Sequence, residues 1–260
     1  MEKLRIALLQ NDIVWEDVAA NLAACEKTIA SLDNDVEIAV LPEMFTTGFS
    51  MSAIQYAEEG DGVTLSTLKQ WAALYNIALV GSFIACENGN HYNRGFFVKP
   101  CGEVTFYDKR HLFRMGDEGK VFAAGNERVI VEYKGWHIAL FICYDLRFPV
   151  WSRIVNNDYD VAIYVASWPQ VRSHVWRSLL MARAIENACY VCGVNRVGQD
   201  GMNLQYVGDT MAIDFKGTVI DKAPDGEPSC IVVELDGDKL QSFRSKFPTW
   251  RDADNFTIEQ

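Results

Sequence analysis

The chain has 260 residues, 49% hydrophobic and 23% charged, with a formal net charge of −11 at pH 7. A chain of this length buries roughly three-quarters of its unfolded surface and needs no disulfides to hold a core. Its 35 acidic against 24 basic residues exclude a general nucleic-acid backbone binder, because such binding rests on clustered Lys and Arg.

The first element, LRIALL (4–9), reads as a strand and is too short for a secretory signal or a bilayer span. From Trp15 to Leu32, the residues Val18, Leu22, Cys25, Ile29 and Leu32 recur at helical spacing, one face of an amphipathic helix. VEIAVL (36–41) is an apolar strand of the kind that is covered on both faces. Leu65, Leu68, Trp71 and Leu74 then mark a helix over Thr64–Tyr75. Three short strands, IALVGSFIA, YNRGFFVK and EVTFYD, follow, joined by the turn segments ENGN and KPCGE. Beyond a polar loop (110–127) come RVIVEY and HIALFIC, a helix from about Arg147 to Asn156, and the strand DVAIYVA (160–166). A helix over Ser173–Asn187, the strand CYVCGVN, three strands between Asp209 and Leu235, a short helix and the tail KFPTWRDADNF end the chain.

No Pro/Gly/Ser-rich linker and no repeat interrupts this order, so residues 1–260 are expected to form one domain. A dozen strands are too many for one flat sheet. Two mixed sheets packed face to face, with helices on both outer faces, bury them better, giving an α/β four-layer α-β-β-α sandwich. Seven cysteines, an odd number scattered through apolar runs, fit a reducing cytoplasm without membrane contact. Cys189 and Cys192 resemble a metal or redox pair, but residues three apart on a strand face opposite ways, so they read as core. Four scattered histidines make no ligand cluster, and no metal or cofactor is expected.

In open α/β sheets, ligands collect beyond the carboxyl ends of strands. Three reactive residues fall there: Glu43 after VEIAVLP, Lys109 after EVTFYD and Cys143 after HIALFI. A thiol with a pKa near ~8.5 can be drawn down to roughly 3.5–7.5 by a neighbouring ammonium such as Lys109. A carboxylate such as Glu43 can take the thiol proton and hand it to a leaving amine. The helix start near Arg147 would favour an anion at Cys143. The Tyr144 backbone N–H and the Lys109 ammonium could hold the oxyanion formed when sulfur attacks a carbonyl.

LPEMFTTGF with Glu43, YDKRHLF with Lys109 and FICYDLRFP with Cys143 together resemble the three signature segments of the nitrilase superfamily of carbon–nitrogen hydrolases. The resemblance implies a thioester mechanism with Glu43 as base, Lys109 as oxyanion stabiliser and Cys143 as nucleophile. It also implies a homodimer or larger homo-oligomer, and the tail at 245–260 could cross to a neighbouring subunit or fold back. Many members carry a second glutamate after the lysine. MGDEGKVFAAGN offers Glu118 for it, with Asp117 beside it as a rival and Gly125-Asn126 at a family-like distance.

CYDLRFP, YVASWP and HVWRSLLMARAIEN resemble the ω-amidase branch most closely. That likeness implies hydrolysis of the distal amide of a short dicarboxylate monoamide, such as 2-oxoglutaramate or 2-oxosuccinamate, with release of ammonia. Arg172 is the candidate for the substrate carboxylate, because a guanidinium pairs bidentately with it. Trp168 is the candidate pocket wall, and Arg147 reads as structural, paired with an acid. The alternatives are carbamoyl-amine or simple-amide hydrolysis, a Cys–His hydrolase and a non-catalytic scaffold. For the Cys–His reading, His137 lies six residues back along a strand, about 20 Å at ~3.3 Å per residue, whereas spacing excludes neither His111 nor His174.

Overall fold

Strand periodicity decides which side chain faces where. In β1 (Lys3–Gln10), Leu4, Ile6 and Leu8 enter one buried cluster, while Ala7 and Leu9 enter another, because successive strand residues point to opposite faces. The computed structural model describes residues 2–258. After β1 the chain forms α1 (Val18–Ala30), β2 (Ile38–Val40), α2 (Ala53–Tyr56), β3 (Glu58–Glu59), α3 (Val63–Tyr75), β4 (Ala78–Glu87), β5 (Asn90–Val98) and β6 (Val104–Asp108). A loop carrying the short helix α4 (Glu118–Val121) leads to β7 (Ile130–Tyr133), β8 (Trp136–Ile142), β9 (Val161–Ala166), α5 (Ser173–Asn187) and β10 (Tyr190–Asn195). A small hairpin of β11 (Val197–Gln199) and β12 (Gln205–Val207) follows. The strands β13 (Met211–Ile213), β14 (Val219–Lys222) and β15 (Ser229–Asp236) then precede α6 (Gly237–Lys246).

One sheet has the order β15-β1-β2-β4-β5-β6, with β3 beside β4; the other has the order β14-β13-β10-β9-β8-β7. Each is parallel at its centre, β1-β2-β4 and β8-β9-β10. Antiparallel strands flank both centres, so both sheets are mixed. Leu4, Ile6 and Val40 of the first sheet share a core with Ile138, Leu140 and Ile142 of the second. Helices α1 and α3 cover the first sheet's outer face, placing Cys25, Ile29, Leu65, Leu68 and Trp71 against Ala39, Leu41 and Phe96. Helix α5 covers the second: a Cβ on Gly193 would lie 2.4 Å from Leu180 Cδ1 and 2.9 Å from Trp176. The layers therefore run helix, sheet, sheet, helix, the α-β-β-α sandwich expected. Among the described residues no helix is long and apolar enough to cross a membrane.

Helix ends follow local chemistry. α1 starts at Val18, the first of its periodic apolar residues, where the Asp17 side chain caps it, accepting from Ala20 N at 3.0 Å. Leu74, expected on the buried side of α3, is 70% exposed. Cys189 and Cys192 are both buried core residues. The helix expected over 147–156 does not form. A single 3₁₀ turn, Cys143–Arg147, stands at that point and is followed by turns. Pro149 disfavours helical geometry at Phe148 (φ −113°, ψ 90°), and Asn156 and Asn157 take positive φ.

Candidate active site

The carboxyl ends of β2, β6, β8 and β9 meet at one edge of the sandwich. Past β2, Glu43 enters a tight turn in which the Met44 amide donates to Ser82 Oγ at 2.9 Å. Lys109 directly follows β6; its amide donates to Asn93 O and its carbonyl accepts from Gly125 N, both at 3.0 Å. A Cβ on Gly125 would fall 2.1 Å from Asp108 O, so only glycine permits that approach. Cys143 follows β8 with φ +45°, a left-handed conformation that costs a non-glycine residue energy.

Glu43, Lys109 and Glu118 are wholly buried. Lys109 Nζ donates to Glu43 Oε1 at 2.8 Å and to Glu118 Oε1 at 3.0 Å. Asn93 Nδ2 donates to the same two oxygens at 2.8 and 3.1 Å, and its Oδ1 accepts from Ser82 Oγ at 2.9 Å. The second oxygen of Glu43 accepts from Ser167 N at 2.8 Å, and that of Glu118 from Phe113 N at 2.6 Å. Ser167 also offers its carbonyl to Cys143 Sγ at 4.0 Å, joining acid and thiol through one residue. Asp117 lies outside this cluster, paired with Lys120 at the surface, so Glu118 is the acid on the lysine. The Phe49 ring centroid lies 5.2 Å from Lys109 Nζ, a favourable place for a cation.

Burial pulls the Lys109 ammonium toward neutrality, but the charges of Glu118 and Glu43 outweigh it and hold the lysine above its ordinary value. Burial and the neighbouring Glu43 raise the Glu118 carboxyl, although Lys109 opposes them. The thiol differs from the sequence expectation. Burial first, then the charge of Glu43, push Cys143 well above an ordinary thiol, and Lys109 only partly offsets them. Burial and the charges of Glu43 and Glu118 together outweigh the Lys109 ammonium and favour the neutral thiol.

A cavity of about 800 Å³ opens over this cluster, with Cys143 and Tyr144 among its lining residues. Trp168 walls it and donates its indole N–H to Arg172 O at 2.9 Å. Arg172 and Arg147 both line it. Arg172 lies over the Phe113 ring at 5.5 Å. Among the described residues Arg147 pairs with no acid, contrary to expectation; its guanidinium lies over the Trp168 ring at 5.1 Å, and it lines the cavity.

A sequence model of the carbon–nitrogen hydrolase family matches residues 5–245. The chain belongs to that family. It is 47% identical to the omega-amidase YafV of Escherichia coli K12, covering 99% of this chain and 100% of that one. It is 33% identical to the 2-oxoglutaramate amidase of Bacillus subtilis, covering 96% and 97%. Among solved structures it superposes with a TM-score of 0.97 on XC1258 of Xanthomonas campestris, a superfamily protein with an arsenic adduct in its active site. Identity there is 39%, over the full length of both chains.

The histidines of this hydrolase are placed away from a Cys–His arrangement. His111 Nδ1 is 2.8 Å from Asp145 Oδ1 and its ring stacks on Phe148 at 3.7 Å. His137 lies beside Asp160 at the far end of β8, and His174 is exposed on α5. Sequence reasoning missed Asn93, Ser82 and the Ser167 amide. Asn93 carried a faint signal, a polar residue inside the otherwise strand-like YNRGFFV; a backbone amide carries none.

Proposed function

We propose that this protein is an ω-amidase that hydrolyses the distal amide of a short dicarboxylate monoamide through a thioester on Cys143. The observation that carries the chemistry is the wholly buried Glu43–Lys109–Glu118 cluster beneath a thiol that lines the cavity. The two amidase relatives carry the substrate class.

In this reading Glu43 takes the Cys143 proton as sulfur attacks the amide carbonyl. The Lys109 ammonium and the Tyr144 amide hold the oxyanion of the tetrahedral intermediate. As the C–N bond breaks, Glu43 returns the proton to the leaving nitrogen and ammonia departs, leaving the acyl thioester. Glu43 then draws a proton from water, which adds to the thioester carbonyl. Collapse expels sulfur, reprotonated by Glu43, and frees the carboxylic acid. Glu118 keeps Lys109 charged and oriented. Arg172, with Arg147 nearby, receives the remote carboxylate, and Trp168 walls the chain between the two ends.

Ammonia release from 2-oxoglutaramate, 2-oxosuccinamate, simple aliphatic amides, nitriles and carbamoyl amines tests the reading. The monoamides should lead by kcat/KM, and a lead for any other class refutes the substrate assignment. The same reading has one domain working in the cytoplasm as a homodimer or larger assembly. Phe247 and Phe256, 60% and 41% exposed, are the apolar residues the tail would offer a neighbour. Sedimentation of the full chain and of a chain ending at Lys246 checks that part.

A further inference from the structure

One buried carboxylate outside the cluster reaches both halves of the site. Asp145 is wholly buried two residues beyond Cys143. Its Oδ2 accepts from Ile142 N at 3.0 Å and from the Tyr107 hydroxyl at 2.7 Å. Its Oδ1 accepts from His111 N at 3.0 Å and faces the ring nitrogen Nδ1 of His111 at 2.8 Å. A carboxylate can only accept hydrogen bonds, so facing Asp145 the imidazole places its proton on Nδ1. Trp151 Nε1 donates to the same Tyr107 hydroxyl at 3.0 Å, which fixes the tyrosine in turn.

The sequence positions of these partners matter. Tyr107 and His111 stand two residues either side of Lys109, and Ile142 and Asp145 bracket Cys143. The segment carrying the ammonium belongs to one sheet and the turn carrying the thiol follows the other. Cys143 is held at φ +45°, a backbone state that persists only where surrounding bonds over-determine it. Asp145 supplies those bonds, one to the amide before Cys143 and the rest to the lysine segment.

We infer that Asp145 is a positioning residue, tying the Lys109 segment to the Cys143 turn and so setting the thiol's place against the ammonium. The inference rests on the thioester reading, but its test does not need the substrate. Asp145→Asn keeps the shape and loses two of the acceptor directions. It should lower kcat by about 100-fold, as expected for reacting groups displaced by a fraction of a bond length, while KM stays within roughly threefold of the parent. In the same protein, iodoacetamide should alkylate Cys143 at least about tenfold more slowly, and the exposed Cys101 should react at the parental rate.

Parental kcat or parental Cys143 alkylation in folded Asp145→Asn overturns the inference; the second result would assign the residue to some step other than holding the thiol. If Asp145→Asn does not fold, Tyr107→Phe removes a single donor and should slow both turnover and Cys143 alkylation by about tenfold. Parental values there overturn the inference too. A parent enzyme inactive on every monoamide sinks the substrate assignment, while the alkylation ratio still decides the role of Asp145.

Discussion

Replacing Glu118 with Gln separates the two electrostatic effects on Cys143 and Lys109. At 3.0 Å and an effective dielectric of about 20, the Lys109–Glu118 attraction is about 5.5 kcal/mol before desolvation is subtracted. Glutamine can keep the contact through a neutral amide oxygen, without the charge–charge attraction, and Glu43 at 2.8 Å still holds the ammonium. The net loss in ordering Lys109, the proposed oxyanion donor, is therefore that of a charge-assisted bond, about 1.5–3 kcal/mol. That range corresponds to a fall in kcat of roughly 10- to 150-fold.

The thiol responds in the opposite sense. The charge of Glu118 contributes to holding Cys143 above an ordinary thiol, so its removal lowers the pH at which the thiol ionises. Iodoacetamide alkylation followed against pH, with kcat on 2-oxoglutaramate measured in parallel, reads both quantities. The expected signature is a midpoint moved to lower pH together with slower turnover. A midpoint that stays fixed or rises refutes the electrostatic account of the cluster, because it removes Glu118 as a source of the thiol's shift.

Cys143→Ala should fold normally and lose turnover by at least about 10⁴-fold, as read by ammonia release; parental turnover would end the thioester mechanism. Arg172→Met should raise KM for 2-oxoglutaramate roughly 10- to 150-fold through the lost charged bond, with little change for an uncharged amide of equal length. An equal change for both would show that Arg172 does not select the carboxylate. Cys25, Cys189 and Cys192 are pushed up to about 12, chiefly by burial. In the unfolded chain these thiols ionise near ~8.5, so the folded state holds more protons between the two values and stability falls as pH rises through that window. Each thiol contributes about 1.4 kcal/mol per pH unit there, and a urea midpoint unchanged from pH 8 to 10 would contradict it.

The residues of the candidate site were legible because each follows an apolar strand, and strand periodicity is a local property. Glu43, Lys109 and Cys143 needed no knowledge of which strands pair. Asn93 and Ser82 lie inside β5 and β4, where a polar side chain gains meaning only from what faces it across the fold. The helix expected after Arg147 does not form, because Pro149 restricts Phe148 away from helical geometry. Arg147 was misread for the same reason: without that helix its side chain turns onto Trp168 and the cavity. The thiolate expected at Cys143 counted the nearby ammonium but not burial or a second carboxylate, and both are consequences of tertiary packing.

Glu43 and Lys109 extend from one sheet, while Cys143 and Ser167 extend from the other. Their spacing is thus a measure of how the two layers sit on each other, as a vernier reads two scales. A void opened anywhere along the shared core that lets one layer slip should dim turnover well before any spectroscopic sign of melting. Turnover would then serve as a finer gauge of interior fit than the melting temperature.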